Sequence, residues 1–353
     1  MAKRKQSKNP SKGGIFKWLI FGLLVIGAVG VTMFYRWIYS SNINSEYASE
    51  FFYVNTGDTF ESVLTALTNE KVLKNVESFK WVAEEKNYLN HVKAGRYKIE
   101  RGLNNNELVN LLRSGEQEPT NVLIRSFRKR ENLAGVLATK LEPDSADFAN
   151  AFYSSEMASK YGFTQENFGV LFMPNTYSFY WNTQPAQFIE RMAKEYKDFW
   201  NDSRKAKARK LGLSQSEVST LASIVQNETY QNDEKPFVAG VYINRIKKGM
   251  PLQADPTLLF ALNDFSIKRV LNIHKKVNSP YNTYKYKGLP PGPICIPDVS
   301  SIDAVLNFES HKYLYFCAKE DFSGYHNFAG NYTQHLVNAR KYQNALNQRK
   351  IFK

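Results

Sequence analysis

Residues 213–230, which read LSQSEVSTLASIVQNETY, decide the fold of the larger part of this chain. Ser214 and Glu217 form the S-x-x-E pattern of a helix start, and neither Gly nor Pro follows within the stretch. Apolar residues then recur at helical spacing, which predicts an amphipathic helix with one buried stripe. That stripe consists of Val218, Leu221, Ile224 and Val225.

Glu228 occupies the next position on this stripe. A carboxyl group that faces the core is desolvated, and the C-terminal end of a helix is itself negative, so both effects raise the pKa. A carboxylic acid that stays protonated near neutral pH can act as a general acid. The alternative is that Glu228 turns into water at the helix end or pairs with a nearby cation such as Lys235.

An apolar segment near the N-terminus predicts a membrane anchor. Residues 18–35 (WLIFGLLVIGAVGVTMFY) carry no charge and are long enough to cross a bilayer as a helix. Six cations and no acid precede the segment, which places the N-terminus in the cytoplasm. A cleaved signal peptide is the alternative, but the run is long for one and residues 34–44 contain no A-x-A-like site.

The predicted organisation is therefore a cytoplasmic tail (1–17) and a transmembrane helix (18–38), with the rest of the chain outside the cytoplasm. We expect a single-pass protein of the plasma (inner) membrane. In a cell with an outer membrane, the part of the chain after the transmembrane helix would lie in the periplasm. Residues 45–117 alternate strand-like and helical patterns and predict a small α+β module. Residues 118–353 predict a larger α+β domain, which contains nearly all the unusual residues.

The charge distribution argues against one class of function. The formal net charge is +14, of which six charges belong to the N-terminal tail. The remaining surplus is spread among interspersed acids and bases, whereas a nucleic-acid-binding protein needs a concentrated basic face. The surplus of positive charge is compatible with binding to an anionic wall polymer or to a lipid surface. Alternatively, it contributes only to solubility.

The cysteines and histidines indicate no metal or cofactor. Cys295 and Cys317 are too few for a disulfide framework, although they could pair in an oxidising compartment. The five histidines show no metal-ligand spacing.

Three segments rich in Pro and Gly follow the Glu228 helix, at residues 251–257, 279–284 and 288–294. This composition predicts rigid loops, with Asp255 in a constrained turn. Short polar groups and tyrosine rings on rigid loops are typical of a sugar-binding cleft, although the tyrosines could instead pack inward. The candidate substrate-binding residues are Gln253, Asp255, Ser279, Tyr281, Asn282 and Tyr284, with His326 further along the chain.

Several motifs follow one another in a fixed order within residues 165–340. They are LASIVQNET (221–229), VAGVYINR (238–245), GMPLQADPT (249–257), SPYNTY (279–284), GLPPGPI (288–294), YLYF (313–316), the pair His326 and Phe328, and His335. In order and spacing they resemble the membrane-bound endolytic murein transglycosylases, the YceG-like family.

The resemblance implies a lyase that cleaves peptidoglycan glycan strands between N-acetylmuramic acid and N-acetylglucosamine and leaves 1,6-anhydro ends. It places the catalytic glutamate at Glu228, as general acid and then base, and makes residues 45–117 a LysM-like accessory module. The implied partners are glycan strands, the plasma membrane and wall synthases such as penicillin-binding proteins. The rival interpretation is a non-catalytic scaffold that binds peptidoglycan.

The chain departs from the family pattern at several positions. Gln226 stands where many members have a second glutamate, and Ile296 and Asp298 flank Pro297 where Asn-Pro-Gly is usual. Gln334 replaces a glutamate before His335. These changes could mean a shifted substrate preference or a degenerate enzyme, and the presence of Glu228 argues against the latter.

Overall fold

The computed structural model describes residues 12–47, 49–267 and 269–349, so most of the predicted cytoplasmic tail lies outside the described residues. The chain forms two compact units. The first extends to Pro119 and includes Tyr180–Asn182, and the second comprises Thr120–Phe179 and the residues from Thr183 onward.

Helix α1 (Lys12–Tyr39) contains the apolar segment. Its part Phe16–Tyr39 is long and apolar enough to cross a membrane. At a rise of 1.5 Å per residue, these 24 residues span about 36 Å, which exceeds the roughly 30 Å of a hydrocarbon core. The helix is therefore a candidate membrane span by length and composition.

The rest of the first unit is a small α+β fold. Its elements are β1 (Phe51–Val54), α2 (Phe60–Asn69), α3 (Val76–Glu85), β2 (Gly95–Lys98) and α4 (Asn105–Ser114). Strands β1 and β2 pair antiparallel, with Phe52 opposite Tyr97. Both of these side chains are buried together with the apolar faces of α2, α3 and α4, so the unit has a core of its own.

The second unit is mainly helical, with two antiparallel strand pairs, β3–β4 and β5–β6. Its elements are β3 (Thr120–Ile124), α5 (Arg130–Ala138), α6 (Ser145–Tyr153), α7 (Ser155–Lys160), β4 (Asn175–Phe179), α8 (Pro185–Phe199), α9 (Asp202–Leu211), α10 (Gln215–Glu228), α11 (Lys235–Lys247), α12 (Asp255–Leu262), α13 (Val299–Leu306), β5 (Tyr315–Ala318), β6 (His326–Ala329) and α14 (Tyr332–Gln348). The mixed α+β fold confirms the predicted class.

Helix α10 lies at the centre of the second unit and contacts α9, α11, α12 and α13. The predicted capping box is present, since Ser214 Oγ accepts from Glu217 N and Glu217 Oε2 accepts from Ser214 N. The prediction of a single buried stripe is too narrow, because every residue from Val218 to Val225 is buried. The reverse face carries small polar side chains, and Ser223 Oγ there accepts a hydrogen bond from Ile294 N at 3.0 Å.

One loop prediction is wrong. Asp255 does not sit in a turn but is the first residue of α12, with Pro256 in the first helical turn. Proline is compatible with that position because the first N–H groups of a helix have no intrahelical partner. The predicted loop over residues 251–257 therefore ends at Ala254.

Candidate active site

Glu228 is the last residue of α10, because Thr229 adopts an extended conformation (φ −140°, ψ 138°) and ends the helix. The Glu228 side chain is only partly exposed. Burial raises its pKa to about 7; the hydrogen bond from Tyr242 opposes this shift, and the charge of Asp255 adds to it. Glu228 can therefore hold a proton near neutral pH and release it.

Tyr242 fixes the position of this carboxyl group. Its hydroxyl donates to Glu228 Oε1 at 2.6 Å, and its ring, 1% exposed, packs edge-on against Phe316. Burial and the neighbouring Glu228 raise the pKa of Tyr242 well above its usual value, so the hydroxyl stays a donor. Among the described residues no group hydrogen-bonds Glu228 Oε2, which leaves that oxygen to act on a ligand.

Arg245 lies one helical turn after Tyr242 on α11, and its side chain hydrogen-bonds two segments that surround the cavity. Its Nε donates to Leu314 O at 2.6 Å, and its Nη1 donates to Leu252 O at 2.8 Å. The same nitrogen lies 3.3 Å from Gln253 Oε1. Gln253 has a left-handed backbone (φ 55°), a conformation that costs free energy for a side chain of this kind. The buried guanidinium thus supports a strained residue at the cavity edge.

Asp255 brings a second carboxyl group to the cavity. It accepts a hydrogen bond from the Tyr284 hydroxyl, and the Lys275 ammonium lies 4.8 Å from the Tyr284 ring centre. Burial raises the pKa of Asp255, while Tyr284 and Lys275 favour its charged form. The charge of Asp255 raises the pKa of Glu228, so Asp255 is the first of the two carboxyl groups to ionise as the pH rises.

A buried acid orients His326. Glu234, 4% exposed, binds this residue through both oxygens: Oε1 accepts from the backbone N–H, and Oε2 lies 2.7 Å from the ring Nδ1. Burial alone would raise the pKa of Glu234, but these hydrogen bonds outweigh it and lower the pKa. The pairing fixes the imidazole ring in the cavity wall, edge-on to Phe316.

These side chains converge on one cavity of about 680 Å³, within the range of pockets that bind small molecules. The lining is Glu228, Tyr242, Arg245, Leu252, Gln253, Asp255, Lys275, Tyr284, Tyr315, Phe316, Cys317, Ala318, His326, Tyr332 and His335. The lining thus combines carboxyl groups, an amide group and aromatic rings. Such a surface suits a polar ligand with flat faces.

Of the predicted site residues, the structure brings Gln253, Asp255, Tyr284 and His326 to the same cavity as Glu228. The other three lie elsewhere. Tyr281 packs on Phe260 and lines a separate cavity, and Ser279 Oγ accepts from Tyr281 N within the loop.

The buried Asn282 amide serves the loop itself. Its Nδ2 donates to Lys275 O and Val277 O, and its Oδ1 accepts from Tyr284 N. The lining of the Glu228 cavity therefore gives no support to substrate contacts by Ser279, Tyr281 or Asn282.

Tyr242, Arg245 and Glu234 are site residues that the sequence pattern does not predict. The first two were part of a recognised motif, and their spacing of three residues on one helix was the available signal. The two cysteines do not pair, since both thiols are free. Within residues 12–47, 49–267 and 269–349, no group of three or more His, Cys, Asp or Glu side chains could hold a metal ion.

This combination of fold and site belongs to a known class. Residues 52–341 match the model of the YceG-like family, and the chain is a member of that family. A crystal structure of a YceG-like protein from Listeria monocytogenes superposes with a TM-score of 0.52 and 27% sequence identity, covering 82% of this chain and 98% of that one.

Two bacterial relatives have assigned activities. A protein of Bacillus subtilis (strain 168) named endolytic murein transglycosylase is 27% identical over 285 residues, which is 76% of this chain and 78% of the relative. A protein of the same name from Streptococcus pneumoniae (strain D39) is 26% identical over 324 residues. The match covers 82% of this chain but only 57% of the streptococcal protein.

Proposed function

We propose that this protein is a membrane-anchored, endolytic lytic transglycosylase of peptidoglycan. The observation that carries the proposal is Glu228, a carboxyl group with its pKa raised to about 7 that Tyr242 holds at the wall of a cavity of sugar-binding composition. Membership of the YceG-like family and the names of the bacterial relatives support the substrate class.

Glu228 acts first as an acid. Its protonated carboxyl group donates to the glycosidic oxygen between N-acetylmuramic acid and N-acetylglucosamine, and the bond from that oxygen to the anomeric carbon breaks. The electron pair leaves with the oxygen, which becomes the free 4-hydroxyl of N-acetylglucosamine. Proton donation of this kind works best when the pKa of the acid lies near the working pH.

Glu228 then acts as a base. The 6-hydroxyl of the muramic acid residue attacks its own anomeric carbon and transfers its proton to the Glu228 carboxylate. The products are a 1,6-anhydro ring and a protonated Glu228, so the enzyme returns to its starting state without consuming water. One carboxyl group therefore suffices, whereas a hydrolase needs a second one as base or nucleophile.

Asp255 has a different role in this scheme. Its carboxylate is already bound by Tyr284 and shares the cavity with Glu228. A fixed negative charge there stabilises the positive charge that develops at the anomeric carbon. It also keeps Glu228 protonated, because its coulombic contribution raises the Glu228 pKa.

The first unit supports a place near the membrane. Helix α1 supplies the anchor, with the N-terminus in the cytoplasm. The β1–α2–α3–β2 order with antiparallel strands is compatible with a LysM-like accessory module at residues 45–117, which would bind glycan.

The test uses the full chain in detergent with uncrosslinked glycan strands and identifies the products by mass. Wild-type protein should give fragments with 1,6-anhydro ends, and Glu228→Gln should give none. Glu217→Gln is the matched control, because it changes the same residue type on the same helix and glutamine also completes a capping box. Products that carry an added water would instead indicate hydrolysis, and binding without cleavage by both forms would indicate a scaffold.

A further inference from the structure

A second polar cavity adjoins the C-terminal end of α10. It has a volume of about 370 Å³. Its lining includes Ser126, Arg128, Gln226, Asn227, Lys235 and Asp298. Asn227 and Thr229, which both line this cavity, are the immediate neighbours of Glu228 in the chain, and adjacent Cα atoms are about 3.8 Å apart. The catalytic cavity and this cavity therefore share the end of one helix.

Lys235 makes this cavity unusual. The residue is 5% exposed, and its ammonium donates one long hydrogen bond, 3.3 Å, to the neutral hydroxyl of Ser300. In the described part of the chain, Lys235 forms no ion pair. Burial lowers its pKa, although the carboxylate of Asp298 opposes this effect. A buried cation with one long hydrogen bond and no direct ion pair is costly, and an anion bound in the cavity would reduce that cost.

The walls around Lys235 are fixed in advance. Gln226 Nε2 donates to Ser126 Oγ at 2.7 Å, and Gln226 Oε1 accepts from Asp298 N at 2.6 Å. The Asn227 amide donates to Ser223 O at 2.8 Å. Gln226 and Asp298 are two of the positions at which the sequence departs from the family pattern, and the structure brings them together here.

The charges at the cavity favour an anion. Arg128 lies at its exposed edge, with its guanidinium 4.7 Å from the ring centre of Phe265. Lys235 and Arg128 supply two positive charges and Asp298 one negative charge. Of the three residues only Lys235 is buried, so its charge is the one least compensated by water.

We propose that this cavity binds a carboxylate of the peptide stem on the muramic acid residue that is being cleaved. The inference rests on the proposed function. In peptidoglycan the stem is attached to the lactyl group of the muramic acid ring whose glycosidic oxygen Glu228 protonates. A peptide stem that leaves the ring beside Glu228 extends past the end of α10 into this second cavity. There Lys235 binds its carboxylate, and Arg128 lies at the exposed edge.

The test is a calorimetric titration of the full chain in detergent with two probes. One is N-acetylmuramyl pentapeptide with free carboxylates, and the other is the same compound with every carboxylate amidated. Wild-type protein should bind the free acid roughly tenfold more tightly, the loss typical of one charged hydrogen bond. Lys235→Gln should bind both probes equally. Lys248→Gln, an exposed lysine after the same helix, should retain the discrimination.

Equal binding of the two probes by wild-type protein overturns the inference, and this comparison does not depend on any variant folding. A second measurement separates it from the proposed function. Stem-free glycan strands should be cleaved at the same rate by wild type and Lys235→Gln. If wild type gives no anhydro product from any strand, the proposed function fails, and the titration still decides the carboxylate site.

Discussion

The pH dependence of cleavage should follow the protonation of Glu228, and two substitutions should move it in opposite directions. Activity requires the acid form of Glu228, so kcat/KM should fall tenfold per pH unit above the pKa of about 7. Tyr242→Phe removes the hydrogen bond that stabilises the carboxylate. Asp255→Asn removes a negative charge that destabilises it.

The size of each shift follows from the contacts. A hydrogen bond to a charged group contributes about 1.5–3 kcal/mol, and one pKa unit corresponds to about 1.36 kcal/mol. Tyr242→Phe should therefore raise the midpoint of the profile by roughly one to two units. Asp255→Asn should lower it by a smaller amount, because the coulombic contribution of Asp255 is smaller than that of the Tyr242 hydrogen bond.

The assay measures anhydro ends from glycan strands between pH 5 and 9 and fits the midpoint separately from the plateau. Loss of carboxyl orientation in Tyr242→Phe can lower the plateau without moving the midpoint. Phenylalanine keeps the ring contact with Phe316, so the fold is expected to persist. The reasoning is refuted if both midpoints stay in place or move in the same direction.

Three further predictions concern stability. Because the folded pKa of Glu228 is raised above its unfolded value of 4.5, wild-type protein loses stability as the pH rises from about 4.5 to about 7. Urea unfolding should therefore show that Glu228→Gln has a free energy of unfolding roughly 1–3 kcal/mol above that of wild type at pH 8. At pH 4 the two free energies should be nearly equal. A difference that does not depend on pH would contradict this prediction. Glu234→Gln should destabilise the fold by roughly 1–3 kcal/mol, because it weakens two hydrogen bonds with His326, and the difference should shrink as acid protonates wild-type Glu234. Gly240→Ala should also destabilise the fold, by roughly 1–3 kcal/mol, because a Cβ atom there would lie 2.5 Å from a backbone oxygen. Gly135 lies in a helix with open space around it, so Gly135→Ala should stabilise the fold by roughly 0.5–1 kcal/mol in the same assay.

The sequence predicted those features whose cause is local. The capping residues Ser214 and Glu217 set the start of α10, and its end at Glu228 lies two residues before the predicted one. Glu228 could be identified because an acid on an apolar stripe is anomalous within a single helix. The membrane-span candidate likewise depends only on a continuous run of apolar residues.

Features that depend on packing between distant segments of the chain could not be predicted from the sequence. Tyr242 looks like an ordinary core aromatic until α11 packs beside α10 and brings its hydroxyl to Glu228. Glu234 gains its role only through His326, 92 residues further along the chain. The turn predicted at Asp255 failed for a different reason: proline marks a helix start as readily as a loop.

The position of Glu228 at the end of α10, rather than within it, reconciles two opposing needs. The eight residues before its last turn are buried on all sides, which holds the helix rigidly in the core. A carboxyl group among them would have no route for substrate or protons. Where the helix ends, the core gives way to a cavity, and the same residue is both desolvated and accessible. The desolvation that destabilises the charged form is what keeps the acid protonated. The stability lost as the pH rises to about 7 and the catalytic pKa should therefore change together when Tyr242 or Asp255 is replaced.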